Sequence, residues 1–163
     1  MTRHNNLVFV DSNVLIEALF LPGHPAVAVT TLAINRQIDL ITCEIVIEDV
    51  EDEILERCQK INNCSIIDLW HTFQKEIRIE VEKDPSERLV LETYRKFMPV
   101  MRHEADIPVL ASAIQTRATI ILSGNTEHFN DAVSERCGIR IMTCADFCSQ
   151  LVSGELPLIK LRK

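Results

Sequence analysis

Short apolar runs alternate along this chain with stretches in which apolar positions recur every three to four residues, a pattern that predicts strands followed by amphipathic helices. Leu7-Val8-Phe9-Val10 reads as the first buried strand, and Val14-Leu15-Ile16-Glu17-Ala18-Leu19 begins the helix after it. Pro25 opens a second helical stretch to about Arg36, with Val27, Thr31 and Ile34 spaced to bury one face. Ile38 to Thr42 reads as a strand. Glu44 to about Arg57 reads as a helix, because Val46, Val50 and Ile54 fall at four-residue spacing with acids on the remaining faces. Ile66, Ile67, Trp70 and Phe73 predict a further helix, and Arg88 to Phe97 another. Between them Arg78 to Lys83 alternates polar and apolar and fits either a strand or an extension of the preceding helix. In the last third, Ile107, Val109, Leu110, Ala113 and Ile114 predict a helix starting at Asp106. The strand Thr119-Ile120-Ile121-Leu122 and the turn Ser123-Gly124-Asn125 follow. The strand Ile139-Arg140-Ile141-Met142 then leads into a helix from about Ala145 to Val152.

This alternation predicts an α/β fold with a mainly parallel sheet and helices on both faces. No repeat, low-complexity tract or linker divides the chain, so residues 1–163 are expected to form a single domain. Only 5% of residues are aromatic against 47% hydrophobic overall, so the core has to be built from Ile, Leu, Val and Ala, as suits buried parallel strands. The net charge of −7 argues against a sequence-independent nucleic-acid clamp built on a basic face. It does not argue against a nuclease, whose carboxylates are neutralised by divalent metal. The six cysteines form no C-x-x-C pair and have no matching histidine spacing, so they are expected to be reduced and mostly buried thiols. No signal-peptide pattern precedes Leu7 and no apolar run approaches the ~20 residues of a membrane span, which fits a cytoplasmic protein with no membrane partner.

The chemistry concentrates at the strand ends. The first strand runs directly into Asp11, and carboxyl ends of parallel strands are where ligands sit in open α/β sheets. Asp11 alone would read as a cap of the following helix. Asp106 at a helix start and Asn125 just after a strand converge on the same rim, however. At ~1.5 Å per residue, Glu48 and Asp49 lie only one or two turns below it. With four glycines there is no phosphate-cradling loop, and neither a Gly-x-Ser-x-Gly elbow nor a Cys/His pair stands at a strand end. His4, His24, His71 and His103 are scattered and read as surface residues, His103 in a solvated loop before Asp106.

Phe-Val-Asp-Ser-Asn-Val-Leu, the acidic helix around Asp49, Asp-Ile-Pro-Val-Leu-Ala-Ser-Ala and Leu-Ser-Gly-Asn-Thr-Glu-His-Phe together resemble the PIN domain family, in order and spacing almost end to end. The resemblance implies a three-layer α/β/α sandwich and a ribonuclease dependent on Mg²⁺ or Mn²⁺ that cleaves single-stranded RNA. It makes Asp11 and Asp106 metal ligands and Asp49 the second acid, with Glu48 as its rival. Asn125 stands where the family often carries an acid, and His128 reads either as a phosphate contact or as a surface residue. Many PIN domains are the toxin half of a bacterial toxin-antitoxin pair, so the implied partners are RNA, an antitoxin protein and a second copy of the chain. Asp49 in place of the usual glutamate and the uncharged Asn125 define the alternative: a weakly active or inactive module that binds RNA or protein.

Overall fold

The computed structural model describes residues 7–156; His4 lies outside them. The strands are β1 Leu7–Val10, β2 Asp39–Cys43, β3 Glu80–Glu82, β4 Ile120–Leu122 and β5 Arg140–Met142. The helices are α1 Ser12–Phe20, α2 Pro25–Ile34, α3 Glu44–Ile61, α4 Ser65–Ile77, α5 Glu87–Phe97, α6 Ile107–Thr116, α7 Asp131–Cys137 and α8 Cys144–Ser153, with a 3-10 turn over Glu104–Asp106. The five strands form one all-parallel sheet in the order β3-β2-β1-β4-β5. Parallel neighbours require long crossovers, and the helices supply them as the outer layers of an α/β/α sandwich.

The strand order decides where a ligand can sit. From β1 the chain builds outward to β2 and β3, then returns to place β4 and β5 on the other side of β1. The carboxyl ends of β1 and β4 therefore flank the topological switch point. In register, Phe9 lies beside Ile41 on one side and Ile121 on the other. Val8, Phe9 and Val10 are fully buried, as expected for a central strand covered on both faces. The peptide unit joining Val10 to Asp11 is held from both neighbouring strands. Thr42 Oγ1 donates to its carbonyl at 2.8 Å, and its N–H donates to Leu122 O at 3.0 Å.

Element boundaries agree with the periodicity to within a few residues, and the departures have local causes. α3 continues four residues past Arg57 to Ile61, supported by the i,i+4 pairs Arg57–Glu53 and Lys60–Glu56, and stops where Asn62 takes a left-handed φ of 51°. The ambiguous stretch after Arg78 becomes the edge strand β3, because Arg78 itself turns left-handed at φ 49° and ends α4. α7 is absent from the periodicity because it buries a single residue, Val133. Its signals lie in the caps instead: Asn130 Oδ1 accepts from Val133 N at 3.1 Å, and Gly138 closes the helix at φ 72°.

No single helix among the described residues is long and apolar enough to cross a membrane; the apolar pair α1 and α2 is bent by 95°. All six cysteines are free. Cys43, Cys58 and Cys144 are buried, Cys137 and Cys148 are half-buried, and Cys64 is exposed, so burial is complete for only three. Burial, followed by the charge of Glu17, pushes the Cys144 thiol up to about 12. A disulfide-exchange reagent is therefore expected to modify Cys64 first in the native protein and to reach Cys43, Cys58 and Cys144 only after denaturant is added. Six fast thiols in the native state would show that this core opens readily.

Candidate metal centre

Asp11 leaves the end of β1 with only 8% of its surface exposed. Its Oδ1 accepts from Ser12 N at 2.8 Å, capping the start of α1, so the capping and the site readings both apply to it. Its Oδ2 accepts from Ser123 Oγ at 2.8 Å and from Asn13 Nδ2 at 3.1 Å. Burial raises the Asp11 pKa; the Ser123 and Ser12 hydrogen bonds oppose that shift, and the charge of Asp106 adds to it. Ser123, at the end of β4, is 1% exposed, and its Oγ also accepts from Asn125 N at 3.1 Å. Gly124 N donates to Asn13 Oδ1 at 2.8 Å. A Cβ at Gly124 would stand 3.4 Å from both Asn13 Oδ1 and Glu17 Oε1, so the turn packs closely against the side chains of α1.

Asp49 is exposed on α3. Partial burial raises its pKa first, and the charges of Asp11, Asp52, Asp106 and Glu48 add in that order. It thus stands within electrostatic reach of both other acids of the rim. Its neighbour Glu48 is exposed and exerts the weakest of those four charges. Asp106 is half-buried at the entry to α6. His128 Nδ1 approaches its Oδ2 at 2.6 Å, yet Oδ2 is buried and has no aligned hydrogen-bond donor. Asn125 Nδ2 lies 2.7 Å from the same His128 Nδ1.

The structure therefore brings Asp11, Asp49, Asp106 and Asn125 to one rim. It adds residues that the sequence reading passed over. Ser123 and Asn13 orient Asp11; Asn13 stands two residues after Asp11 and Ser123 directly follows a buried strand, the positions from which a polar side chain can reach it. His103, read as a solvated loop residue, is exposed but stacks on His128 with ring centroids 4.2 Å apart. Nothing in the spacing of His103 and His128 along the chain signals this contact.

No lysine or arginine pairs with Asp11, Asp49 or Asp106 among the described residues. Three carboxylates without a lysine or arginine partner, one of them Asp106 with its buried Oδ2 lacking a donor, are oxygen ligands of the kind a hard divalent cation takes.

A family model described as PIN domain matches residues 9–128, a span that contains all four rim residues and His128. PAE2754 from Pyrobaculum aerophilum superimposes with a TM-score of 0.60 and 11% identity, covering 91% of each chain. VapBC2 from Rickettsia felis, solved bound to a DNA fragment from their promoter, superimposes with a TM-score of 0.61 and 13% identity, covering 84% of this chain and 98% of that one. At these identities the two structures speak for the fold. Comparison with curated protein sequences gives no significant match.

The raised Asp49 pKa has a signed consequence. On raising the pH the unfolded chain releases this proton first, so the folded state loses stability between the unfolded value and the higher folded one. Asp49→Asn removes that loss. The variant is expected to melt higher than wild type at neutral pH without metal, with the difference shrinking as the pH falls to about 4. A variant that melts lower at neutral pH would show that Asp49 makes a stabilising contact.

Proposed function

Because the chain belongs to the PIN domain family, we propose that it is a Mg²⁺- or Mn²⁺-dependent endoribonuclease acting on single-stranded RNA. The observation that carries this reading is the trio Asp11, Asp49 and Asp106 at the switch point, with Asp106 Oδ2 buried and lacking a donor. In this reading the three carboxylates hold the cation. When bound, it lowers the pKa of a water and neutralises charge on the attacked phosphate and the leaving oxygen.

The chain's own residues supply position and charge balance. Ser123, Asn13 and the Ser12 N–H fix Asp11 so that one carboxylate is aimed before any ligand arrives. Asn125 contributes an amide without charge, close to His128, so it orients rather than neutralises. His128, with Nδ1 2.6 Å from Asp106 Oδ2, places an imidazole at the acidic rim beside the position proposed for a substrate phosphate.

The same reading makes this chain the toxin of a cytoplasmic toxin-antitoxin pair, with an antitoxin protein and a second copy of itself as partners. The VapBC2 likeness in fold supports the kind of partner. The shorter Asp49 and the neutral Asn125 favour the alternative, a module that binds RNA or protein without cutting it.

Manganese calorimetry combined with cleavage of a labelled single-stranded RNA separates the two. Asp11→Asn and Asp106→Asn are each expected to abolish stoichiometric Mn²⁺ binding and to slow cleavage about a hundredfold or more. Asn125→Asp is expected to tighten Mn²⁺ while lowering the melting temperature of the metal-free protein, because it adds a like charge to the rim. No binding at millimolar Mn²⁺ together with no cleavage would overturn the nuclease reading in favour of the module.

A further inference from the structure

The carboxylates do not exhaust the ligand chemistry at this rim. His103, Asp106 and His128 each offer a ligand atom, and the three atoms lie within 4.8 Å of one another. Two imidazoles and one carboxylate form a donor set unlike the all-oxygen trio beside it. Mg²⁺ and Mn²⁺ prefer oxygen, whereas zinc takes imidazole readily and stands above manganese in affinity for nitrogen ligands. We propose that His103, Asp106 and His128 form a zinc site that shares Asp106 with the carboxylate centre.

The atoms are partly arranged for it. Asp106 Oδ2, buried and without a hydrogen-bond donor, already has His128 Nδ1 at 2.6 Å. The rings of His103 and His128 are stacked at 4.2 Å with 22° between their planes, so one ring has to turn before both nitrogens meet a single ion. His103 is the ring free to turn, since it is exposed and precedes the 3-10 turn rather than lying within a helix. Two histidines and a carboxylate leave the fourth tetrahedral position to water.

Sharing Asp106 makes the two occupancies compete. Zinc held by the histidines withdraws a carboxylate from the manganese centre, and micromolar zinc would then inhibit an enzyme that runs on millimolar Mg²⁺. That inhibition rests on the nuclease reading; zinc binding itself does not.

The test is calorimetric titration of the whole chain with zinc chloride, in wild type, His103→Ala, His128→Ala and Asp11→Asn, each first checked for cooperative thermal unfolding. Wild type is expected to bind one zinc, with affinity at least tenfold weaker in either histidine variant and much less affected in Asp11→Asn. In wild type, zinc is expected to shift the imidazole NMR resonances of His103 and His128 and leave those of His24 and His71 in place. This measurement decides the question even if His128→Ala fails to fold. Zinc bound equally well without His103, imidazole resonances that do not move, or a loss in Asp11→Asn as large as in His103→Ala would overturn the proposal. Histidine-dependent zinc binding without manganese-supported cleavage would leave it standing and remove the nuclease reading. Manganese-dependent cleavage with histidine-independent zinc binding would do the reverse.

Discussion

A carboxylate that is 8% exposed at the end of the central strand has to be compensated, and the arrangement of the rim follows from how that is done. Desolvating an ion costs several kcal/mol even after relaxation. A hydrogen bond to a charged group returns about 1.5–3 kcal/mol. The three donors on Asp11 are therefore of the right size to keep it tolerable, yet burial still outweighs them and raises its pKa. Two of those donors come from the start of α1 and the third from the end of β4. Satisfying one side chain thus joins segments 110 or more positions apart and brings the Asn125 turn to the rim.

The same residues show why the metal-free rim works against the fold. Asp11, Asp49 and Asp106 repel one another with no lysine or arginine paired to them among the described residues, and the first two have raised pKa values as a result of burial and mutual charge. Acids placed for packing or solubility would be paired or spread apart. Local destabilisation of this kind is what a site that binds positive charge requires of its protein.

Much of this was legible in the sequence, for reasons that also explain the gaps. Buried parallel strands are continuous apolar runs, so β1, β2 and β4 stand out, and the four-residue spacing of Val46, Val50 and Ile54 gives α3. Asp11 and Asp106 were visible because an acid directly after an apolar strand or at a helix start has few bland explanations once several converge. α7 was not, since a helix with one buried position has no period to detect. The stacking of His103 on His128 was hidden for a different reason: it joins two loops through space, and no local pattern encodes where a loop returns.

The peptide unit between Val10 and Asp11 is gripped on both edges, its carbonyl by the Thr42 hydroxyl and its N–H by the Leu122 carbonyl. A peptide plane hydrogen-bonded on both sides is restrained from rocking, so the direction in which the Asp11 side chain leaves the strand is set by the sheet. Little backbone ordering is then left for the protein to undergo at this position when an ion or phosphate binds, which is the sense in which the strand end is preorganised. Rigidity at the centre of the rim also leaves accommodation to its margins, to the exposed Asp49 and the loop carrying His103, where differently shaped ligands can be met without disturbing the strand beneath.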